Sequence, residues 1–238
     1  MFWNCQSFAP DKLTDLPTAD VICLAETWQR PEHLLTPVPG FTPFASPRLQ
    51  GAHGGVAALV RSQLAPHCRV WRITHQGDVL WLRLNLLSLD RPLFLAVCYL
   101  PPANTPGASL VGTERWSLLA DDIAAAAADG YVLLAGDFNA HTGSLDDRTP
   151  PVDLHITDLA ALIPSTAHLP PRHTRATSIN AYGRNLISLC RESSLVILNG
   201  RLPGDIPAAP SRSPSSLLDY LITQPAVYSR CRSLRVLP

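Results

Sequence analysis

Polar side chains recur where apolar runs of this sequence break off (Asn4, Glu26, Tyr99, Asp137 with Asn139), and Asp219 lies inside a late run. The densest group lies in Tyr131–Gly143, YVLLAGDFNAHTG. Its first five residues read as a short buried strand. Gly136 predicts a sharp backbone exit that leaves Asp137 and Asn139 at the strand's C-terminal end. Residues two apart on a strand share a face, so both can point into one pocket while Phe138 packs behind them. Ligand sites in α/β sheets favour that end of the strands. Taken alone, the same string reads equally as a tight Asp/Asn turn. Glu26 alone reads as a surface residue, Tyr99 as a half-buried aromatic and Asn4 as a turn former. Together they supply what phosphodiester hydrolysis requires. Carboxylate and amide oxygens suit a hard cation, a second carboxylate can orient or deprotonate water, and neutral donors can stabilise charge on phosphoryl oxygens.

Several strands must position these groups. Met1–Cys5 reads as the tail of a strand, and Ala19–Glu26 as a second that ends on a carboxylate. A short strand is expected at Phe41–Ser46 and another at Val56–Arg61. In Asp78–Leu87 the leucines 80, 82, 84 and 86 fall on one face, and Val79, Trp81, Arg83 and Asn85 on the other. Pro92–Leu100 is an apolar strand that ends on Tyr99 and Leu100 before Pro101-Pro102. A helix capped by Thr113 carries Trp116, Leu119, Ile123 and Ala127 on one side, and Asp129-Gly130 stops it. Residues 144–179 read as a long connection. Ala181–Ser193 reads as a second helix, Leu195–Leu198 and Leu217–Ile222 as strands, and residues 231–237 as the start of a last strand. Many strands with few helices between them predict two mixed sheets packed face to face with helices outside, an α/β (α+β) four-layer sandwich.

Composition narrows the function classes. Hydrophobic residues make up 46% of the 238 and charged residues 16%, which supports a folded core and excludes a disordered chain. The net charge of zero argues against a protein dedicated to coating DNA. Its distribution is uneven: residues 1–50 carry 3 basic and 5 acidic residues, 51–170 carry 7 and 11, and 171–238 carry 9 and 3. The C-terminal third is therefore expected to present arginine, whose planar fork matches phosphate oxygens. Six scattered cysteines without a CxxC pair make neither a zinc site nor a disulfide scaffold. No secretory signal or membrane-spanning run is evident, so an intracellular protein, nuclear or cytoplasmic, is expected.

In their order along the chain, these segments resemble the endonuclease/exonuclease/phosphatase superfamily, and within it the endonuclease domain of non-LTR (LINE-type) retrotransposons. WNCQSF resembles the motif carrying the family's asparagine, here Asn4. ADVICLAETW is similar to the metal-binding motif, with Glu26 as its glutamate, and LFLAVCYLPP to the motif whose tyrosine, Tyr99, meets the scissile phosphate. LLAGDFNAHTGSLDD places Asp137 and Asn139 in catalytic positions, and SLLDYLI places Asp219 where the family's aspartate orients a catalytic histidine. The resemblance implies one domain over residues 1–238 that lacks the start of the first strand and the closing Ser-Asp-His strand. It implies Mg²⁺ or Mn²⁺ held by Glu26 and Asn4, His141 and Arg172 near the substrate, and DNA as partner. A reverse-transcriptase domain encoded downstream is a further expectation. The expected reaction is DNA nicking, impaired by loss of the histidine. A non-catalytic remnant, or a phosphatase or phosphodiesterase of lipid or inositol phosphates, are the alternatives. None of the eight histidines lies in a Ser-Asp-His sequence, and Ala176 stands where the retrotransposon branch has an Asp.

Overall fold

The alternating stretch at residues 78–87 forms a strand at Val79–Leu84, and its two faces enter two different cores. Leu80, Leu82 and Leu84 pack against a second sheet, while Val79 and Trp81 lie under helices. The computed structural model describes residues 1–14, 18–30, 35–47, 54–102, 114–150, 165–210 and 216–236. Its strands are β1 (Phe2–Asn4), β2 (Val21–Ala25), β3 (Phe41–Ser46), β4 (Val56–Arg61), β5 (Cys68–Thr74), β6 (Val79–Leu84), β7 (Leu93–Tyr99), β8 (Tyr131–Asp137), β9 (Val196–Ile197) and β10 (Asp219–Thr223). The helices are α1 (Glu114–Asp129), α2 (Ala181–Glu192) and the single turn α3 (Pro225–Tyr228).

Four strands form one sheet in the order β1-β2-β4-β3, and six form the other in the order β5-β6-β7-β8-β10-β9. Both are mixed, with β1 parallel to β2 and β7 parallel to β8, and every other pairing antiparallel. Between the sheets, Cys23, Ala25, Val56, Ala58 and Val60 meet Leu80, Leu82, Leu95, Val97 and Ala135. The far face of the six-stranded sheet is covered by α1 and α2. Trp116, Leu119, Ile123 and Ala126 of α1 lie on one stripe, and each fully buried Leu or Ile there contributes roughly 1.5–3 kcal/mol. Trp116 meets Tyr182 of α2 edge to face, with centroids 5.5 Å apart. The outer face of the four-stranded sheet (Ile22, Leu24, Ala57, Leu59) is covered by Cys5, Leu35, Trp3, Phe8, Leu13 and Val38, side chains of β1 and of segments without α-helix. The fold is thus the expected α/β sandwich, with an irregular fourth layer among the described residues.

Two points differ from the sequence reading, and the expected helix stop holds for a different reason. β5 has no counterpart in the sequence reading: it is an exposed edge strand with a bulge between Val70 and Arg72, so burial imposes little alternation on it. The final stretch up to residue 236 is not a strand; the Leu234 amide bonds the Pro203 carbonyl at 3.1 Å instead. Gly130 ends α1 through close approach, since a Cβ there would lie 2.8 Å from the Phe94 ring. Thr113, the expected cap, falls outside the described residues.

Candidate functional site

Register brings three of the expected residues side by side. Tyr99 of β7 pairs with Asp137 of β8, and Asp137 pairs with Asp219 of β10. All three fall on odd positions, the face shared with Leu95, Val97, Ala135 and Leu221, which looks toward the four-stranded sheet. Even positions on these strands (Cys98, Tyr220), and Phe138 just past β8, pack under the helices. Alternation alone therefore aims Tyr99, Asp137 and Asp219 into the gap between the sheets at one level.

The opposite sheet supplies Asn4 and Glu26. Asn4 shares its face with Phe2, which packs in the inner core, and pairs with Ala25. Strict alternation would place Glu26 outside, with Ile22 and Leu24. Instead Glu26 has φ 53°, a left-handed backbone that breaks the alternation and brings its carboxylate to the Asn4 amide. Asn4 Nδ2 donates to Glu26 Oε1 at 2.7 Å and to Asp137 Oδ2 at 2.9 Å. One amide thus joins two carboxylates across the two sheets. Gln6, Ser7, Trp28, Gly54 and Gly55 also have positive φ, so left-handed backbone gathers at this end of the four-stranded sheet. Such conformations cost on the order of 1–3 kcal/mol at non-glycine residues and gather at functional sites.

Asp137 is almost wholly buried and held on both oxygens: Oδ1 accepts from the Asn139 backbone amide at 2.9 Å. The Asn139 side chain donates from Nδ2 to the Leu100 carbonyl at 2.9 Å. Phe138 lies in the helix-side core, as expected. The chain does not leave the strand at Gly136. That residue pairs with Cys98 and Tyr220, and a Cβ there would lie 2.6 Å from Cys98 Cβ and closer still to its carbonyl. Close strand packing is what requires glycine; the turn comes at Asn139, with φ 48°.

Beyond Asn139 the loop is tied down by residues the sequence reading missed. Asn180 caps α2 by accepting from the Gly183 amide at 2.7 Å. It also accepts from the His141 amide at 3.0 Å and donates to the Asn139 carbonyl at 3.0 Å. A cap residue directly before a helix was the available signal. His141 sits on this rim, its Nδ1 2.9 Å from Ser178 Oγ. Tyr220 donates to the Ala140 and Leu217 carbonyls, and burial pushes its phenol up to about 12, so the donor is retained.

Arg172 does not reach a surface where substrate could meet it. Its side chain is 3% exposed and pairs with Asp147 at 3.3 Å. Its Nη2 donates to Thr142 Oγ1 at 3.2 Å and to the Leu145 carbonyl at 3.0 Å. Arg201 is fully buried and grips Asp147 with both arms, at 2.8 and 2.9 Å. Two of the nine arginines expected at the C-terminal surface are therefore internal and support the loop that follows Asn139.

The donor set fits a hard divalent cation. Asn4 Oδ1 is buried without a hydrogen-bond partner beside two carboxylates. Among the described residues, no three His, Cys, Asp or Glu side chains gather as a closed metal cage. Mg²⁺ commonly takes one or two carboxylates and keeps several waters, which is what this set offers. Also among the described residues, no helix is long and apolar enough to cross a membrane.

No curated protein matches the sequence. Solved structures do. The AP endonuclease LMAP of Leishmania major aligns over 96% of this chain and 79% of its own, with 15% identity and a TM-score of 0.63. The catalytic domain of Xenopus laevis APE2 aligns over 96% and 82%, with 17% identity and a TM-score of 0.64. The endonuclease domain of TRAS1, a telomere-specific non-LTR retrotransposon, aligns over 89% and 75%, with 15% identity and a TM-score of 0.52. At these identities the likeness concerns the fold. The family model for Endonuclease/Exonuclease/phosphatase matches residues 1–236, and the chain belongs to that family.

Proposed function

We propose that this chain is a divalent-cation-dependent phosphodiesterase acting on DNA, derived from a retrotransposon endonuclease. The observation that carries this reading is the Asn4 amide between Glu26 and Asp137, with Tyr99 and Asp219 in register beside Asp137. Glu26 and Asn4 would hold Mg²⁺ or Mn²⁺, which when bound supplies positive charge against the phosphate. Asp137, kept in place by Asn4 and the Asn139 amide, orients water and takes its proton on a carboxylate oxygen. The Tyr99 hydroxyl donates to a phosphoryl oxygen as charge builds there. His141, on the rim with Ser178, faces the nucleic acid. Asp219 stands where an imidazole would be oriented, and no histidine of this sequence lies in a Ser-Asp-His motif. Nicking by residues 1–238 is therefore expected to be slow, by roughly 10²- to 10⁴-fold for one missing general acid–base group. A reverse-transcriptase domain encoded downstream and a nuclear or cytoplasmic site of action belong to the same reading.

Supercoiled plasmid incubated with the protein and Mn²⁺ tests it. Slow conversion to the relaxed form, lost in Asp137→Ala, is the expected result. Nicking that persists in Asp137→Ala removes Asp137 from the chemistry. Plasmid retarded on a gel but never nicked identifies a DNA-binding remnant instead. Hydrolysis of an inositol phosphate in preference to plasmid overturns DNA as substrate.

A further inference from the structure

Glu26 is held on both oxygens, and the second partner is Trp28. Asn4 takes Oε1, and the indole Nε1–H of Trp28 donates to Oε2 at 3.3 Å. Burial does not explain an indole here, because Trp28 is 38% exposed. Backbone preference opposes it too. Trp28 has φ 52°, and a bulky residue in the left-handed region is an outlier that glycine or asparagine would occupy at lower cost. The surrounding chain holds the residue there. The Trp28 amide donates to the Gly54 carbonyl at 2.9 Å, and the Thr27 amide to the Gly55 carbonyl at 3.2 Å. The Ser7 amide binds the Glu26 carbonyl at 2.8 Å. Both glycines have positive φ themselves, so the turn Glu26–Trp28 rests on a matching turn at the start of β4.

We propose that Trp28 is a positioning residue whose indole N–H fixes the Glu26 carboxylate in the orientation that faces Asp137. Each carboxylate oxygen has two lone pairs. With one on each oxygen committed to Asn4 and to Trp28, the carboxylate cannot rotate freely, and its remaining lone pairs are available to a cation. The consequence for metal affinity rests on the divalent-cation reading above, but the hydrogen bond itself does not. Partners in the shell behind a metal ligand typically contribute 10- to 100-fold in affinity.

Two measurements on the full chain test this. The first needs no metal: the Trp28 indole ¹H–¹⁵N resonance is identified by its loss in Trp28→Phe and then followed in Glu26→Ala. An upfield move of the proton is expected. An unchanged resonance refutes the Glu26 contact whatever the metal does. The second is calorimetric titration with Mn²⁺ alone on wild type and Trp28→Phe, which keeps an aromatic six-membered ring and removes the pyrrole ring with its donor. Binding weakened roughly 10- to 100-fold, in a variant that still unfolds cooperatively without metal at a somewhat lower melting temperature, is the expected result. Equal affinity in the two proteins overturns the positioning role. If wild type takes up no Mn²⁺ while the indole resonance responds to Glu26→Ala, the contact stands and the metal reading falls.

Discussion

Asn4 and Asp137, 133 residues apart in the chain, are joined by a hydrogen bond of 2.9 Å that runs from one sheet to the other. The same amide holds Glu26, so its removal leaves two carboxylates facing each other without a donor between them. Hydrogen bonds to charged groups contribute about 1.5–3 kcal/mol each. Asn4→Ala is expected to lower stability by about that much in metal-free urea denaturation, with part of the loss recovered in saturating Mn²⁺. No difference between variant and wild type would mean that the amide bridges nothing in solution.

The interior charge cluster gives a larger expected effect. Asp147 is wholly buried between Arg172 and Arg201. Removing one member of a buried ion group leaves uncompensated charge and typically costs about 3–5 kcal/mol. Asp147→Asn should therefore lose that much in chemical denaturation, more than Asn4→Ala. A loss below about 1 kcal/mol would show that the arginines find water in the folded chain.

Gly136 offers a test of register. An added Cβ meets the Cys98 backbone, so Gly136→Ala forces apart the two strands that carry Tyr99 and Asp137. Overpacking of this kind costs roughly 1–3 kcal/mol. Because the strands would separate at the level of the site, Mn²⁺ affinity should fall with stability. A stable variant with wild-type affinity would show that the pair has room to adjust.

His75 sets one part of the pH dependence. It is buried, with Nε2 2.8 Å from the Arg115 carbonyl and Nδ1 3.0 Å from Thr74 Oγ1. Burial lowers its pKa below 6.5, opposed by the Arg115 carbonyl and the nearby Asp122 carboxylate, while the Arg115 charge acts with burial. The unfolded chain then binds the proton more readily, so stability from this group is complete above pH 6.5 and declines as pH falls toward the folded pKa. His75→Gln should lose less stability than wild type between pH 7.5 and 5. An identical decline in both proteins would assign the acid sensitivity to other groups.

How far the sequence disclosed the site follows from what alternation can and cannot encode. Leu80 to Leu84, Val56–Arg61 and the GDFN stretch are buried on both faces or packed on one, and burial writes period and strand ends into them. That placed Tyr99 and Asp137 at strand ends and Asp219 inside a late strand; in the structure Asp219 opens its strand, and the three pairing registers coincide. It could not show that Glu26 departs from its strand's alternation, because a left-handed residue leaves no mark on hydrophobic period. Nor could it separate Arg172 from surface arginines. Its partner Asp147 lies 25 residues away, and Arg201 lies 54 from that aspartate, distances over which only the folded chain decides pairing. β5 stayed hidden for the opposite reason: its outward residues carry no core pattern.

The site also has an order of appearance. Asn4 and Glu26 lie near the beginning of the chain, Asp137 past its middle, and Asp219 at the start of the last described strand. Translation delivers domains from the N-terminus at about 5–20 residues per second. For several seconds after β1 and β2 leave the ribosome, the carboxylate at Glu26 has no counterpart, and the three-residue edge strand that carries Asn4 has no opposing sheet to rest against. A nascent chain therefore lacks the Asn4–Asp137 bridge until β8 arrives, and the Asp137–Asp219 pairing until β10 follows.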